Sequence, residues 1–199
     1  MKPAPLLLTA AAATSLTACD SPESFLGGSL VTVGIVGLGG LGHLAVTFAH
    51  AMGAAVTVFT TSPEKTQDAC ELGADDVVVT GSPDALAAQA GRFDLIVDTV
   101  SVQHDPSPYL RALRMGGTLC MLGLPERYEV DPLSLLGGRT LTVSGSAGTV
   151  RTQEMLDFSA EHGITADVEV LPAHQVDTAV ERLARGDVRY RFVLDLSEV

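Results

Sequence analysis

The sequence is poor in positive charge and has no low-complexity tracts. Only 12 of its 199 residues are Lys or Arg, against 24 Asp and Glu, so the formal net charge is −12. Because a nucleic-acid binder needs a basic face for the phosphates, this balance argues against nucleic acid as a partner. An anionic ligand would have to be held by local geometry. A content of 46% apolar and 18% charged residues is typical of a globular α/β protein.

Cysteine is scarce and widely spaced. The three cysteines, Cys19, Cys70 and Cys120, lie 50 or more residues apart. None of them forms a CxxC pair or a zinc cluster by spacing. We therefore expect Cys70 and Cys120 to be reduced thiols packed inside the protein.

Residues 1–29 form a predicted leader without a run long enough to span a bilayer. Lys2 precedes an apolar run that ends at Leu16, and Leu-Thr-Ala-Cys follows, with Cys19 in the place of a lipidated cysteine. Two interpretations stay open. One is a lipoprotein signal that anchors the protein to a membrane through Cys19, and the other is a disordered or weakly helical leader on a cytoplasmic protein.

From Leu30 onward, short β-branched segments alternate with segments of helical spacing. Several of the β-branched segments are apolar almost throughout, as expected of parallel strands covered on both faces. The pattern predicts an α/β fold with a doubly wound parallel sheet, whose six strands lie at residues 31–37, 55–61, 75–80, 94–100, 117–124 and 141–146. The first helix ends at Gly53, and its predicted apolar face comprises Leu41, Leu44, Ala45, Phe48 and Ala49.

A glycine turn, residues 37–42, joins the first predicted strand to the first helix and reads GLGGLG. Gly37 permits the tight turn, Gly39 lets the backbone approach a pyrophosphate, and Gly42 allows close packing of helix on strand. The helix N-terminus supplies amides and a positive dipole. Since the motif leaves an apolar strand and opens an amphipathic helix, it predicts a dinucleotide-binding Rossmann domain rather than a merely structural turn.

The end of the second predicted strand indicates which dinucleotide is bound. An acid there would bind the adenosine ribose and repel a 2′-phosphate, but this chain has Thr60, Thr61 and Ser62, followed by Lys65. Hydroxyl donors and an ammonium group suit a phosphate. These residues favour NADP(H) over NAD(H), and the alternative is a hydroxyl-rich turn with an exposed lysine.

A series of segments resembles the coenzyme domain and C-terminal end of the zinc-dependent, medium-chain alcohol dehydrogenases, in their cinnamyl-alcohol-dehydrogenase-like branch. Among them are GIVGLGGLGHLAVTFAHAMGA, FTTSPEK, FDLIVDTVSVQHDPSPYL and GDVRYRFVLDL. The resemblance runs from about Val31 to Leu196. It implies an NADP(H)-binding Rossmann domain at residues 30–164, a C-terminal strand-helix-strand extension at residues 165–199, and a family activity of reducing aldehydes or oxidising primary alcohols.

The resemblance also implies the cofactor-binding residues. Thr99 and Val100 would lie beside the adenosine-side ribose and the bridging part of the cofactor. The nicotinamide half would be approached after the fifth strand by Gly123 and Leu124, and after the sixth by Ser144, Gly145 and Ser146. The remaining assignments are Gly37, Gly39, Gly40, Leu41 and Gly42 to the pyrophosphate, and Thr61, Ser62 and Lys65 to the 2′-phosphate.

Zinc is expected for the family, but its ligands are not expected in this chain. The family's N-terminal domain carries a cysteine and a His-Glu pair for the catalytic zinc and four cysteines for a structural zinc, and nothing before Leu30 matches it. Residues 4–9 resemble the segment that holds the last ligand, yet they contain no cysteine. The histidines are scattered and are expected at surfaces or helix ends: His43, His50, His104, His162 and His174. We therefore expect neither a metal site nor a catalytic residue.

In the resembling family the tail, residues 165–199, packs on the catalytic domain. Here we expect its strands, residues 167–172 and 189–196, to pair with each other and expose an apolar patch, which favours a homo-oligomer or a separate catalytic-domain partner. The predicted apolar face of the tail helix comprises Val176, Ala179, Val180 and Leu183. Three interpretations of function stay open: a truncated NADP(H)-binding oxidoreductase domain without independent catalysis, an NADP(H)-sensing or lipid-anchored module, and a non-functional gene fragment.

Overall fold

The structure, a computed structural model, describes residues 31–197. The predicted leader, with Cys19 and residues 4–9, lies outside the described residues, as do residues 198–199. None of the helices in the described range is both long and apolar enough to cross a membrane.

Six strands form one parallel sheet, which confirms the predicted doubly wound architecture. They are β1 (Thr32–Val36), β2 (Ala55–Thr60), β3 (Asp76–Val79), β4 (Phe93–Asp98), β5 (Leu113–Met121) and β6 (Thr140–Val143). Their order across the sheet is β3-β2-β1-β4-β5-β6. The order reverses between β1 and β4, so a crevice opens there at the carboxyl ends of the strands, where open α/β sheets bind ligands.

Helices cover both faces of this sheet. Along the described residues the helices are α1 (Gly42–Ala51), α2 (Thr66–Glu71), α3 (Pro83–Ala87), α4 (Ser107–Ala112), α5 (Thr149–His162) and α6 (Val176–Ala184), of which α6 belongs to the tail and not to this sheet. Alternate residues of β1 enter two separate cores, as the pleat of a strand requires: Val33 and Ile35 pack with α1 and α2, and Val36 packs with α4. The 3₁₀ segments are Pro63–Lys65, Pro132–Leu135 and Ala173–Gln175.

The buried face of α1 differs from the predicted one. His43 and Val46 are buried together with Ala49, whereas Leu41 is 47% exposed and Leu44, Ala45 and Phe48 are half-buried. The reason is tertiary, because a tyrosine from the far end of the chain covers His43. Helical spacing alone could not show this cover.

The cysteine prediction is right at one position and wrong at the other. Cys120 is buried in the core, where burial raises the pKa of its thiol to about 11. Cys70 is exposed, because the short helix α2 turns the neighbouring Ala69 toward the core instead.

The tail forms a small sheet of its own, as predicted. Strands β7 (Val168–Pro172) and β8 (Arg191–Asp195) pair in parallel, and α6 connects them. Arg182 of α6 lies over the ring of Phe192 at 4.8 Å and pairs with Glu169 at 2.8 Å. This helix therefore covers one face of the two-stranded sheet.

The other face of the tail sheet is exposed, with valines at its centre and the charged Arg191 and Asp195 at the two ends of β8. Val170 and Val193 stand opposite each other in the register and are 61% and 45% exposed, and Val168 beside them is 44% exposed. We call these three residues the tail face. On α6, Ala179 is buried, but the other residues of the predicted apolar side are exposed: Val176, Val180 and Leu183. The predicted apolar patch is thus confirmed.

Candidate functional site

The glycine turn lies at the crevice between β1 and β4. Gly37 has a φ of +86°, a conformation that strains other residues, and its N–H donates to the carbonyl of Phe59. A Cβ at Gly42 would lie 2.0 Å from the carbonyl oxygen of Gly37, so α1 starts almost in contact with the end of β1. A Cβ at Gly39 would meet nothing within 4 Å. The outer side of the turn is therefore open to a ligand.

Three successive carbonyls of the turn accept hydrogen bonds from side chains of different segments. The ammonium of Lys65 donates to Leu38 O at 3.0 Å, and Arg191 Nη2 donates to Gly40 O at 2.9 Å. Between them, His43 Nδ1 lies 2.9 Å from Gly39 O. Two cations therefore border the turn in an otherwise acidic chain, and the first turn of α1 contains no acid. This arrangement favours an anion.

His43 lies in the first turn of α1, in keeping with the expected helix-end position, but it is fully buried rather than at the surface. Its contact with a carbonyl requires a proton on Nδ1, and burial lowers the pKa of the ring, so the ring is neutral. Its Nε2 is buried without a hydrogen-bond partner.

The end of β2 brings hydroxyl groups close to the glycine turn. Thr61 is exposed, and the Ser62 N–H donates to the hydroxyl of Thr60. Lys65 follows in a 3₁₀ segment, and its bond to Leu38 joins this loop to the turn after β1. The predicted phosphate-binding groups thus lie beside the predicted pyrophosphate-binding turn.

The loops after β4 and β5 join the same cluster. The Thr99 hydroxyl donates to Val36 O at 2.8 Å, and a Cβ at Gly37 would lie 2.9 Å from Val100 Cγ2. A Cβ at Gly123 would lie 2.1 Å from Val100 O, so the loop after β5 packs tightly on the loop after β4. The structure therefore brings Thr99, Val100 and Gly123 together with the glycine turn.

The remaining predicted residues lie farther toward the open edge of the sheet. Leu124 is 61% exposed. Ser144 is half-buried and its N–H donates to Met121 O, while Gly145 and Ser146 are exposed on the loop between β6 and α5. The strand β6 also ends at Val143, before these residues.

Two features of the site escape sequence reasoning. Arg191 lies 151 residues from Gly40, so no local pattern connects them. The second feature is a fully buried carboxylate, Asp98, at the end of β4, which accepts from His104 Nε2 at 2.7 Å and from Val100 N at 2.9 Å. An acid that ends an apolar strand is a signal that could have indicated this group.

The contacts of His104 favour its protonated form. Its Nε2 faces the carboxylate of Asp98, and its Nδ1 lies 2.8 Å from Val102 O. Because both partners are acceptors, both ring nitrogens must donate. The hydrogen bond to Asp98 is the largest cause that raises the pKa of His104, and the charge of Asp105 raises this pKa further. The ring of Tyr109 packs edge-on against the imidazole. The ion pair ties the loop that carries Thr99 and Val100 to the end of β4.

The comparisons with known proteins agree with this geometry. The family model described as zinc-binding dehydrogenase matches residues 40–161. The chain belongs to the zinc-binding dehydrogenase family. It is 52% identical to the probable formaldehyde dehydrogenase AdhA of Bacillus subtilis over 168 residues, which are 83% of this chain and 48% of that protein. It therefore spans about half the length of such relatives.

Solved structures support the same family and the same branch of it. The chain resembles a cinnamyl alcohol dehydrogenase of Sorghum bicolor with a TM-score of 0.84 and 39% identity, over 98% of this chain and 55% of that one. It also resembles CAD from Helicobacter pylori, solved in complex with NADP(H), with a TM-score of 0.76 and 32% identity, at the same coverages. These findings confirm the resemblance to the cinnamyl-alcohol-dehydrogenase-like branch.

Substituting Gly42 should damage the fold, whereas substituting Gly39 should not. We expect Gly42→Ala to lower the free energy of unfolding by about 1–3 kcal/mol, because its Cβ overlaps the carbonyl of Gly37. The control, Gly39→Ala, should change it by less than about 0.5 kcal/mol, since its Cβ meets nothing within 4 Å. Urea unfolding followed by circular dichroism measures both, and a Gly42→Ala variant as stable as the wild type would contradict the contact.

The His104 ion pair should make stability depend on pH. Its folded pKa is raised above the ordinary 6.5, so its contribution is fully present below pH 6.5 and is lost as the pH rises through the folded pKa. We expect the difference in unfolding free energy between wild type and His104→Gln to shrink across that range, by up to about 1.4 kcal/mol per pH unit. The exposed His50→Gln is the control, and a difference independent of pH would refute the ion pair.

Proposed function

We propose that this chain is the NADP(H)-binding domain of a zinc-type alcohol dehydrogenase that interconverts aldehydes and primary alcohols. The observation that carries this proposal is the glycine turn, whose outer side is open at Gly39 and behind which α1 begins. A helix N-terminus with accessible backbone amides binds a diphosphate well. The family membership supports the same function.

The residues around the turn fit the pyrophosphate of a dinucleotide. The carbonyls of residues 38–40 accept hydrogen bonds from side chains, and the N–H of Gly37 is bonded to Phe59 O. We propose that the amides after Gly37 in the turn face the ligand. Arg191 is held at Gly40 and adds a guanidinium beside the proposed diphosphate, a pairing that is strong for phosphate oxygens. The net charge of −12 makes this local placement of cations necessary.

The end of β2 favours the phosphorylated cofactor. The strand ends in Thr60, Thr61 and Ser62, and none of these residues is an acid. Lys65 lies between this loop and the glycine turn, where the adenosine ribose would lie. A relative solved with NADP(H) supports the choice. We propose that Thr61, Ser62 and Lys65 bind the 2′-phosphate, and that Lys65 exchanges its bond to Leu38 for one to this phosphate.

The later loops would hold the rest of the cofactor. We propose that Thr99 and Val100 lie along its middle and that Gly123 and Leu124, together with Ser144, Gly145 and Ser146, approach the nicotinamide. When bound, NADP(H) supplies or accepts hydride at this ring. The role of the chain's own residues is to bind and orient it at the carboxyl edge of the sheet.

The described residues do not fit a zinc ion. Within residues 31–197, no three His, Cys, Asp or Glu side chains come together as metal ligands. We therefore derive no step through zinc and propose no catalytic residue. The 199-residue chain is expected to bind the cofactor without aldehyde-dependent turnover.

Calorimetric titration of the 199-residue chain with NADPH and NADH tests this function. We expect NADPH to bind more tightly. Lys65→Ala should raise the dissociation constant of NADPH by about 10–100-fold and leave that of NADH nearly unchanged, because the lost bond goes to the 2′-phosphate alone. Arg191→Gln should weaken both cofactors alike, since the pyrophosphate is common to them.

The matched control is Arg111→Ala. This exposed arginine lies in the last turn of α4, just before β5 and so at the amino edge of the sheet, and pairs with Asp131. Arg111→Ala also removes one positive charge, but at a distance from the crevice, and it should change neither the NADPH affinity nor the NADH affinity. Failure of the wild type to bind either cofactor would reject the function and favour a gene fragment.

We also propose that the tail face, residues Val168, Val170 and Val193, packs against another polypeptide. The chain spans about half the length of its relatives, and such an exposed apolar sheet face is typical of an interface. The other half of the family fold is the proposed occupant. Without it, we expect two copies of this chain to associate through the same face.

Light scattering at several concentrations tests the association. The wild-type chain should self-associate, and Val170→Lys combined with Val193→Lys should return it to a monomer, because two charges replace facing valines. Val150→Lys, at an exposed valine of α5, is the control. A wild-type chain that is monomeric at every concentration would speak against this proposal.

A further inference from the structure

Tyr190 belongs to the tail in sequence but to the main core in space. It is 5% exposed and packs in the same cluster as Leu38 of the glycine turn and Val46 of α1. The residues that follow it in β8 are more exposed, with Val193 at 45%. This one side chain therefore inserts the tail into the nucleotide-binding fold.

Two contacts fix the orientation of the Tyr190 ring. It stacks on the ring of His43, with centroids 4.5 Å apart and an interplanar angle of 12°. Its hydroxyl donates to Asp68 of α2 at 3.2 Å, and burial, with the Asp68 charge adding to it, raises its pKa to about 12. The preceding Arg189 pairs with Asp68 and Glu71. Tyr190 and its neighbour Arg189 thus attach the tail to α1 and α2.

His43 connects this stack to the glycine turn. Its Nδ1–H donates to Gly39 O, the carbonyl of the residue that opens toward the proposed pyrophosphate. Its Nε2 is buried with no hydrogen-bond partner, which costs free energy as long as water is excluded. The stacked Tyr190 helps to exclude that water. If Tyr190 moves away, water can reach Nε2 and the ring is no longer held against Gly39.

We propose that Tyr190 is a positioning residue for the dinucleotide: through His43 it holds the glycine turn in its binding geometry, so that cofactor binding and tail docking are linked. This inference rests on the proposed NADP(H) binding. Linkage is reciprocal, so the cofactor must stabilise tail docking by the same factor by which docking strengthens cofactor binding.

Calorimetry with NADPH on two matched variants tests the first direction of this linkage. Tyr190→Phe keeps the stack and loses only the bond to Asp68, so its dissociation constant should stay within about twofold of the wild type. Tyr190→Leu keeps an apolar side chain in the core but loses the flat stack, and its dissociation constant should rise roughly tenfold, within the usual range of coupling. Phe158→Ala, which removes the other aromatic contact of α1, is the control and should have no such effect.

A double-mutant cycle separates positioning from general destabilisation. His43→Asn removes the stack but keeps an N–H that can reach Gly39 O. If Tyr190 acts through His43, adding Tyr190→Leu to His43→Asn should weaken NADPH binding no further. Fully additive effects, or a folded Tyr190→Leu variant that binds like the wild type, would overturn the proposal while leaving NADP(H) binding intact.

Hydrogen exchange measures the reverse direction on the wild type. NADPH should slow exchange of the backbone amides of β8, and Tyr190→Phe should keep this protection. If Tyr190→Leu does not fold, the exchange experiment on the wild type takes its place as the test of the linkage. Exchange of the β8 amides that is unchanged by bound NADPH overturns the proposal. A wild type that does not bind NADPH rejects the proposed function and the linkage together.

Discussion

The close approach of α1 to the end of β1 is the constraint on which the site depends. The position of a Cβ at Gly42 lies 2.0 Å from Gly37 O, so no residue with a side chain fits there without displacing the helix. This approach directs the helix N-terminus at the crevice and leaves Gly39 on the outer side of the turn. The N-terminal amides of the helix and the open backbone of the turn therefore act on the same small volume.

The turn is also where distant parts of the chain meet. Lys65 reaches it from the loop after β2, His43 from α1 and Arg191 from the tail, and each donates to one of three consecutive carbonyls. With its carbonyls engaged in this way, the turn presents amides and cations to a ligand. An acidic protein can thereby hold an anion without a basic surface, because the positive groups are concentrated at one turn.

The tail has two sides with different roles. Through Tyr190 it is part of the core, and through Arg191 it is part of the candidate site. Its tail face, by contrast, leaves three valines between 44% and 61% exposed. A partner on that face would therefore act on a segment that also contacts the glycine turn. If the other half of the family fold occupies that face, as proposed above, it would be linked through the tail to the glycine turn.

The six-stranded parallel sheet and the glycine turn were predictable from the residues alone, because apolar strands, glycine spacing and helical periodicity are local signals. The pairing of β7 with β8 was expected from the tail's resemblance to the family and not from a local pattern. Such local signals could not show the buried face of α1, the exposure of Cys70 or the contact of His104 with Asp98. Those outcomes, and the contacts of Tyr190 with His43 and of Arg191 with Gly40, were decided only by the tertiary structure. The physical reason is that a side chain's burial and charge depend on neighbours far away in sequence, which no local pattern specifies.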